Sequence, residues 1–285
     1  MLRPTAVLLL LLSSQVPSFA WGPKGHRVIA DVATHHLNAA ARQQLTILLG
    51  SDDLDLASIS TWADEIRNQR PDTFGWHFVD IPWNAAGFSE TRDCNGPEGH
   101  RHRFDDGNNC VVDRIAEFQQ ILSDRYAGKS ARLEALKFLV HFIADVHQPM
   151  HAMGEARGGN DIQISQFGRT TCGSRSCNLH SLWDLGLIDH TRRPESEYVE
   201  HLEQIIIQHH LQSESHGSPA DWANESFHLA RRVWLKDGEA ANENYYRQNI
   251  DSLDRQLALA GLRLAMVLDQ ALDYDHPVKM RYSIK

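Results

Sequence analysis

His141 and Asp145 stand four residues apart in Phe138-Leu139-Val140-His141-Phe142-Ile143-Ala144-Asp145. A helix puts positions i and i+4 on one face. Among apolar neighbours, a carboxylate and an imidazole are costly to bury unless they pair with each other or bind a cation. A simple ion pair would satisfy this motif in isolation. However, His180 and Asp184 repeat the spacing, and His151 follows directly after Gln148-Pro149. Trp62-Ala63-Asp64 adds a carboxylate, and His77 lies between Trp76 and Phe78. Imidazoles and carboxylates without a thiolate suit Zn²⁺.

The first twenty residues extend this donor set. Arg3 is a basic start, Leu8 to Leu12 an apolar stretch, and Ser18-Phe19-Ala20 a small-x-small cleavage signal, so a signal peptidase is expected to cut after Ala20. Trp21 then becomes the chain end of a secreted or periplasmic protein, with a free amine of pKa near ~8 that can lose its proton to a metal. His26 lies five residues on. The plainer alternative is that Trp21 simply packs into the core. Trp21, His26, Asp64, His77, His141, Asp145, His151, His180 and Asp184 are nine donor residues. One tetrahedral ion cannot use nine, but three ions can if Asp145 bridges two of them.

Helices must position these groups. His26, Ile29, Ala30 and Ala33 share one face, and Leu45, Leu48 and Leu49 continue the stripe to a stop at Gly50. Further helices are expected over 61–69, 111–126, 131–147, 178–188 and 195–211. Another opens at Ser218-Pro219-Ala220-Asp221, and a long one carries Leu253, Leu257, Leu264, Leu268 and Leu272. Strand signal is confined to Asp161-Ile162-Gln163-Ile164, one arm of a small hairpin ending near Gly168. The expected fold is all-α, with 21–285 forming a single domain.

Cys172 and Cys177 are close enough to pair across a short loop, leaving Cys94 for Cys110. A four-cysteine zinc site competes poorly, because neither pair has C-x-x-C spacing and an exported chain meets an oxidising compartment. The formal net charge is −9, which usually disfavours nucleic acid. Three divalent ions would make the pocket itself positive, so charge does not exclude a phosphodiester. The long loop 84–110 carries Arg92, His100, Arg101, His102 and Arg103, and long loops in compact domains are often functional.

Five ordered stretches resemble the zinc-dependent single-strand-specific nucleases, or 3′-nucleotidase/nucleases, of fungi, plants and bacteria. They are Trp21 to His26, Trp62 to Arg67, His77 to Asp80, Val140 to His151 and Asn178 to Asp184. The resemblance runs from Trp21 to the last helix. It implies one zinc on Asp64, His77, His141 and Asp145, a second on the amine and carbonyl of Trp21 with His26 and Asp145, and a third on His151, His180 and Asp184. It makes Phe78 a stacking platform for a base and Asp80 an acceptor for the base edge, with Asn160 a weaker member of that pocket. Arg67, one turn from Asp64, is placed to neutralise charge on phosphoryl oxygens. The activity implied is hydrolysis of RNA and single-stranded DNA to 5′-phosphorylated products, together with removal of phosphate from 3′-nucleotides. Neither membrane association nor an obligate protein partner is expected.

Two rivals remain at this point. The related zinc phospholipases C share the His-x-x-x-Asp-x-x-x-Pro-Met-His segment, though they usually carry glutamate at the position of Asp184. An exported zinc-binding protein would use the histidines for binding alone. His147 faces away from the His141/Asp145 stripe and is read as non-functional, and His35, His36, His209 and His210 as solvated. Asn224-Glu225-Ser226 is a lone glycosylation sequon inside an expected helix.

Overall fold

The helical periodicity is expressed almost where it is written. The computed structural model describes residues 21–94 and 110–274. Among these, the longer helices are α1 (Pro23–His36), α2 (Ala39–Leu49), α3 (Val111–Ser123), α4 (Lys129–Val146), α5 (Glu195–Gln208), α6 (Pro219–Val233) and α7 (Glu243–Leu272). None is long and apolar enough to cross a membrane. The buried apolar core is continuous from Trp21 to Leu272.

α7 is the scaffold. Asn242 caps it by accepting from the Asn244 and Tyr245 amides, and its buried leucine stripe packs against α1, α2, α3, α4 and α5. α4 runs through the centre and packs along α3, with every residue from Phe138 to Val146 buried. Only a helix with all its backbone bonds internal can carry His141 and Asp145 so deep without orphaning peptide groups. Ser218 opens α6 through a capping box with Asp221, as its sequence predicts.

Four expectations need correction. The stripe from His26 to Leu49 is two helices, because Leu37 is extended and the Asn38 side chain caps α2 by accepting from the Ala41 amide. The helix expected over 61–69 closes after Trp62–Glu65. The segment 178–188 is helical but widens into a π-helix at Leu182–Gly186, a form often found at functional sites. The hairpin arm is displaced from 161–164. Strand β1 (Ser165–Gln166) pairs in parallel with β4 (Ala240–Ala241), while β2 (Thr171–Cys172) and β3 (Arg175–Ser176) form the hairpin. Long-range pairing with residues 240–241 has no local sequence signal.

Disulfides join Cys94 to Cys110 and Cys172 to Cys177. The basic residues His100, Arg101, His102 and Arg103 lie outside the described residues. Arg92 pairs with the neighbouring Asp93 carboxylate.

Several histidines have unforeseen structural roles. His35 and His36 at the end of α1 are not merely solvated: they grip the two oxygens of Glu203, at 3.0 and 2.9 Å. His147 does face away from Asp145, but it is fully buried. Its Nδ1 donates to the Ile143 carbonyl at 2.6 Å and its Nε2 accepts from buried Arg263 at 2.9 Å. Ser226, from the sequon, donates to the Val146 carbonyl at 2.6 Å. Together these bonds fix the last turn of α4, directly behind the candidate ligands.

Candidate metal centre

Elements distant in sequence bring eight side-chain donors together. α1 supplies His26, and the short helix Trp62–Glu65 supplies Asp64. The 3-10 segment Pro71–His77 ends on His77, and α4 gives His141 and Asp145. His151 comes from the 3-10 turn Pro149–Ala152, His180 from Leu179–Ser181, and Asp184 from the π-helix. All eight are at least 94% buried.

The first group centres on Asp145 Oδ2, 3.0 Å from His77 Nδ1 and 3.3 Å from His141 Nε2. His77 Nδ1 lies 3.1 Å from His141 Nε2, and Asp64 oxygens lie 3.6 and 3.7 Å from these nitrogens. Four donors around a tetrahedral zinc at ~2.0–2.2 Å stand roughly 3.3–3.6 Å apart, close to this spacing. Asp145 Oδ1 faces the other way, 3.5 Å from His26 Nε2. The His26 ring stacks on His141 at 4.0 Å, and His26 also falls within a donor group with Asp64 and His141. The remaining group is His151, His180 and Asp184, with His180 Nε2 3.4 Å from Asp184 Oδ2.

Outer hydrogen bonds aim the rings. His141, His151 and His180 each donate from Nδ1 to a backbone carbonyl, of Ser60 at 2.7 Å, His77 at 2.8 Å and Gly158 at 2.8 Å. This fixes the tautomer in which Nε2 carries a lone pair toward the centre. Gln148, unforeseen in the sequence, is fully buried and donates to Asp184 Oδ1. Gly158 is required beside His180, because at φ +63 a Cβ would lie 2.4 Å from the Met150 carbonyl oxygen.

These donors fit a cation. Both nitrogens of His26, Asp64 Oδ2 and Asp145 Oδ1 are buried without a hydrogen-bond partner, a large cost unless an ion occupies the space between them. Burial and neighbouring charges hold the pKa of His26, His77 and His151 well below normal, and burial lowers His180 to about 4. Those rings are neutral, as ligands must be. Burial disfavours a charged His141, but Asp145 and Asp64 outweigh it and push its pKa up to about 9. Burial, and then Asp64 and Asp145, raise Asp184 well above the carboxylate range. Both shifts arise because buried acids crowd together, a repulsion that a divalent cation among them would relieve.

Trp21 satisfies the core reading. Its ring is fully buried and Nε1 donates to the Ala144 carbonyl at 2.9 Å, beside Asp145. The Gly22 amide donates to the Asp184 carbonyl at 2.8 Å. Gly22 has φ −50 and ψ 168, open to any residue, yet a Cβ there would fall 1.9 Å from Leu185 Cδ2. Leu185 is 39% exposed, so its side chain can swing aside, and Gly22→Ala should cost no more than about 1 kcal/mol. We expect a melting temperature lowered by roughly 4 °C at most, with the loss restored by Gly22→Ala/Leu185→Ala and the metal content unchanged. Thermal melts and metal analysis check this; a double variant no better than the single one would contradict it.

Arg67 Nη1 donates to Asp64 Oδ1 at 3.2 Å, and its guanidinium lies over the Phe74 ring, 4.6 Å from the centroid. The extended segment after His77 is pinned at Val79 by the His151 carbonyl and at Ile81 by the Gly154 amide. Phe78 is half-buried there and Asp80 exposed. Asn160 uses its side-chain amide in a local turn, donating to the Arg157 carbonyl at 2.9 Å. Phe74 escaped sequence reasoning, because a lone phenylalanine in a short 3-10 segment has no periodic signal.

The S1/P1 nuclease family profile matches residues 21–273. The chain is 30% identical over 274 residues to Nuclease P1 of Penicillium citrinum, covering 86% of this chain and 95% of that protein. Nuclease S1 of Aspergillus oryzae is 27% identical over 281 residues, covering 88% and 92%. Endonuclease 1 of Arabidopsis thaliana is 27% identical over 302 residues, covering 95% and 93%.

Proposed function

The chain belongs to the S1/P1 nuclease family, and on that premise we propose that its buried centre holds three zinc ions and hydrolyses phosphodiester bonds in RNA and single-stranded DNA. Products carry a 5′-phosphate, and 3′-nucleotides are further substrates. Residues 1–20 are a leader removed on export to the periplasm or outside the cell, and 21–285 form one nuclease domain.

The observation that carries this proposal is the set of adjoining donor groups, whose rings are aimed by backbone carbonyls and whose innermost oxygens and nitrogens lack other partners. Asp64, His77, His141 and Asp145 hold one ion, the Trp21 amine and carbonyl with His26 and Asp145 a second, and His151, His180 and Asp184 the third. Bound zinc supplies Lewis acidity toward phosphate and a water acidic enough to ionise near neutral pH. The chain does the rest. Arg67, oriented by Asp64, neutralises charge developing on phosphoryl oxygens. Phe78 stacks a base and exposed Asp80 accepts from its edge; Asn160, whose amide serves a local turn, is a weaker member of that pocket.

Matched RNA, single-stranded DNA, duplex DNA, a 3′-mononucleotide and phosphatidylcholine vesicles, each incubated with processed, zinc-loaded protein, test the proposal. RNA and single strands should be cut and duplex should resist. Phosphatidylcholine hydrolysis without nucleotide release would overturn it in favour of a phospholipase. Background activity on every substrate would favour a zinc-binding protein.

A further inference from the structure

Asp184 is engaged through two different groups. Its carboxylate belongs with His151 and His180, while its main-chain carbonyl, inside the π-helix Leu182–Gly186, accepts from the Gly22 amide at 2.8 Å. That amide and the Trp21 carbonyl are two ends of one peptide group. A trans peptide is planar, so its C=O and N–H point in opposite directions. With the Trp21 carbonyl on an ion beside His26, as in the ligand set proposed above, the same plane turns its N–H toward Asp184.

Further contacts join the same two segments. A Cβ on Gly25 would lie 2.9 Å from Trp21 Cβ and 3.0 Å from Ile188 Cδ1, so the start of α1 is seated directly against Ile188. Lys24 donates to the Arg193 carbonyl, and Arg27 Nε reaches both oxygens of Glu195 at 3.0 and 2.9 Å. Residues 22–27 are thus fastened along 184–195, the stretch that carries Asp184. Chain ends are poorly ordered unless tied down in this way.

We propose that the Trp21–Gly22 peptide couples the ion held by Trp21 and His26 to the ion held by His151, His180 and Asp184, so that each binds more tightly when the other is present. This rests on the zinc sites and the leader removal proposed above, and extends them. Two effects act in the same direction. Coordination of the carbonyl draws electron density from the peptide and strengthens its N–H bond to Asp184, as in any chain of mutually polarised hydrogen bonds. Ordering the chain end against the Asp184 segment is a cost that the first ion meets and the second is spared.

Gly22→Pro/Leu185→Ala removes the N–H and keeps a carbonyl on Trp21, with Gly22→Ala/Leu185→Ala as its matched control. The φ of −50 at Gly22 lies within the range of about −65 ± 15° that proline adopts, and truncating Leu185 clears the space beside it. Native mass spectrometry counts the zinc ions on each processed chain across a series of buffered free-zinc concentrations. Relative to the control, the proline variant should release two ions at free zinc at least about fivefold higher, the lower end of ordinary coupling. The ion on Asp64, His77, His141 and Asp145 should stay. A shift in one ion alone would mean that proline disturbs only Trp21 and would overturn the coupling, as would a shift below about fivefold or the simultaneous loss of all three. His180→Ala leaves the chain end untouched and decides the matter if the proline variant does not fold. Because linkage is reciprocal, losing the ion on His151 and Asp184 should weaken the one on Trp21 and His26 by at least about fivefold; release of that ion at the wild-type concentration would overturn the coupling. Wild type that binds no zinc would overturn the metal centre itself, whereas three ions that leave independently would overturn the coupling alone.

Discussion

Asp145→Asn is expected to remove nearly all hydrolytic activity and two of three metal ions. The two oxygens of Asp145 serve different partners: Oδ2 faces His77 and His141, and Oδ1 faces His26. Asparagine keeps one oxygen and replaces the other with an NH₂ donor that cannot bind a cation. Loss of a single oxyanion-stabilising donor costs ~10²–10³-fold in other enzymes. Loss of a carboxylate shared by two ions should cost at least as much, on the order of 10³-fold in kcat/KM. The group His151, His180 and Asp184 does not include Asp145, so one ion should remain.

Stability gives a second readout. Ligands that bind only the folded state stabilise it, by ~4 kcal/mol at a thousand times Kd, and each kcal/mol moves the melting temperature of a chain this size by roughly 2–4 °C. Chelation of wild type should then lower the melting temperature by about 10 °C or more, and chelation of Asp145→Asn by much less. A variant that retains three ions, or activity within about tenfold of wild type, would contradict the bridging role; the tenfold line lies well below the loss of even one such donor.

How much of this was written in the sequence depends on how local each feature is. The i, i+4 pairs His141/Asp145 and His180/Asp184 were readable because helix geometry alone puts them on one face, and both pairs lie within 3.4 Å in the structure. Both disulfides followed from loop length and elimination. Carbonyls of Ser60, His77 and Gly158 leave no such trace, since any residue has a carbonyl and only the fold decides where it points. Gln148 looked like a helix end, yet it orients Asp184. His147 was placed on the correct face, but the arginine that pairs with it comes from 116 positions away. The π-helix at Leu182–Gly186 widens a turn that periodicity alone reads as an ordinary helix.

Adding one methionine before Trp21 is the second large perturbation. The extra residue converts the proposed ligand amine into an amide, which has no basic lone pair for a metal. The joint has little slack to compensate: the Trp21 ring is buried and bonded to Ala144, and Gly22 is bonded to Asp184 beneath Leu185. The variant should fold, because those contacts need no free amine, and lose one ion together with roughly 10²-fold or more of its activity. Export and completion of the site would then be a single event. Full activity with the added methionine verified by mass would remove Trp21 from the ligand set, leaving it as a core residue.

The central claim, that these nine residues hold three ions, is tested most directly by native mass spectrometry of the zinc-loaded chain beginning at Trp21. Three zinc ions per chain are predicted, with one fewer when methionine precedes Trp21. One ion or none in the processed protein, or a count unchanged by the added residue, would contradict it.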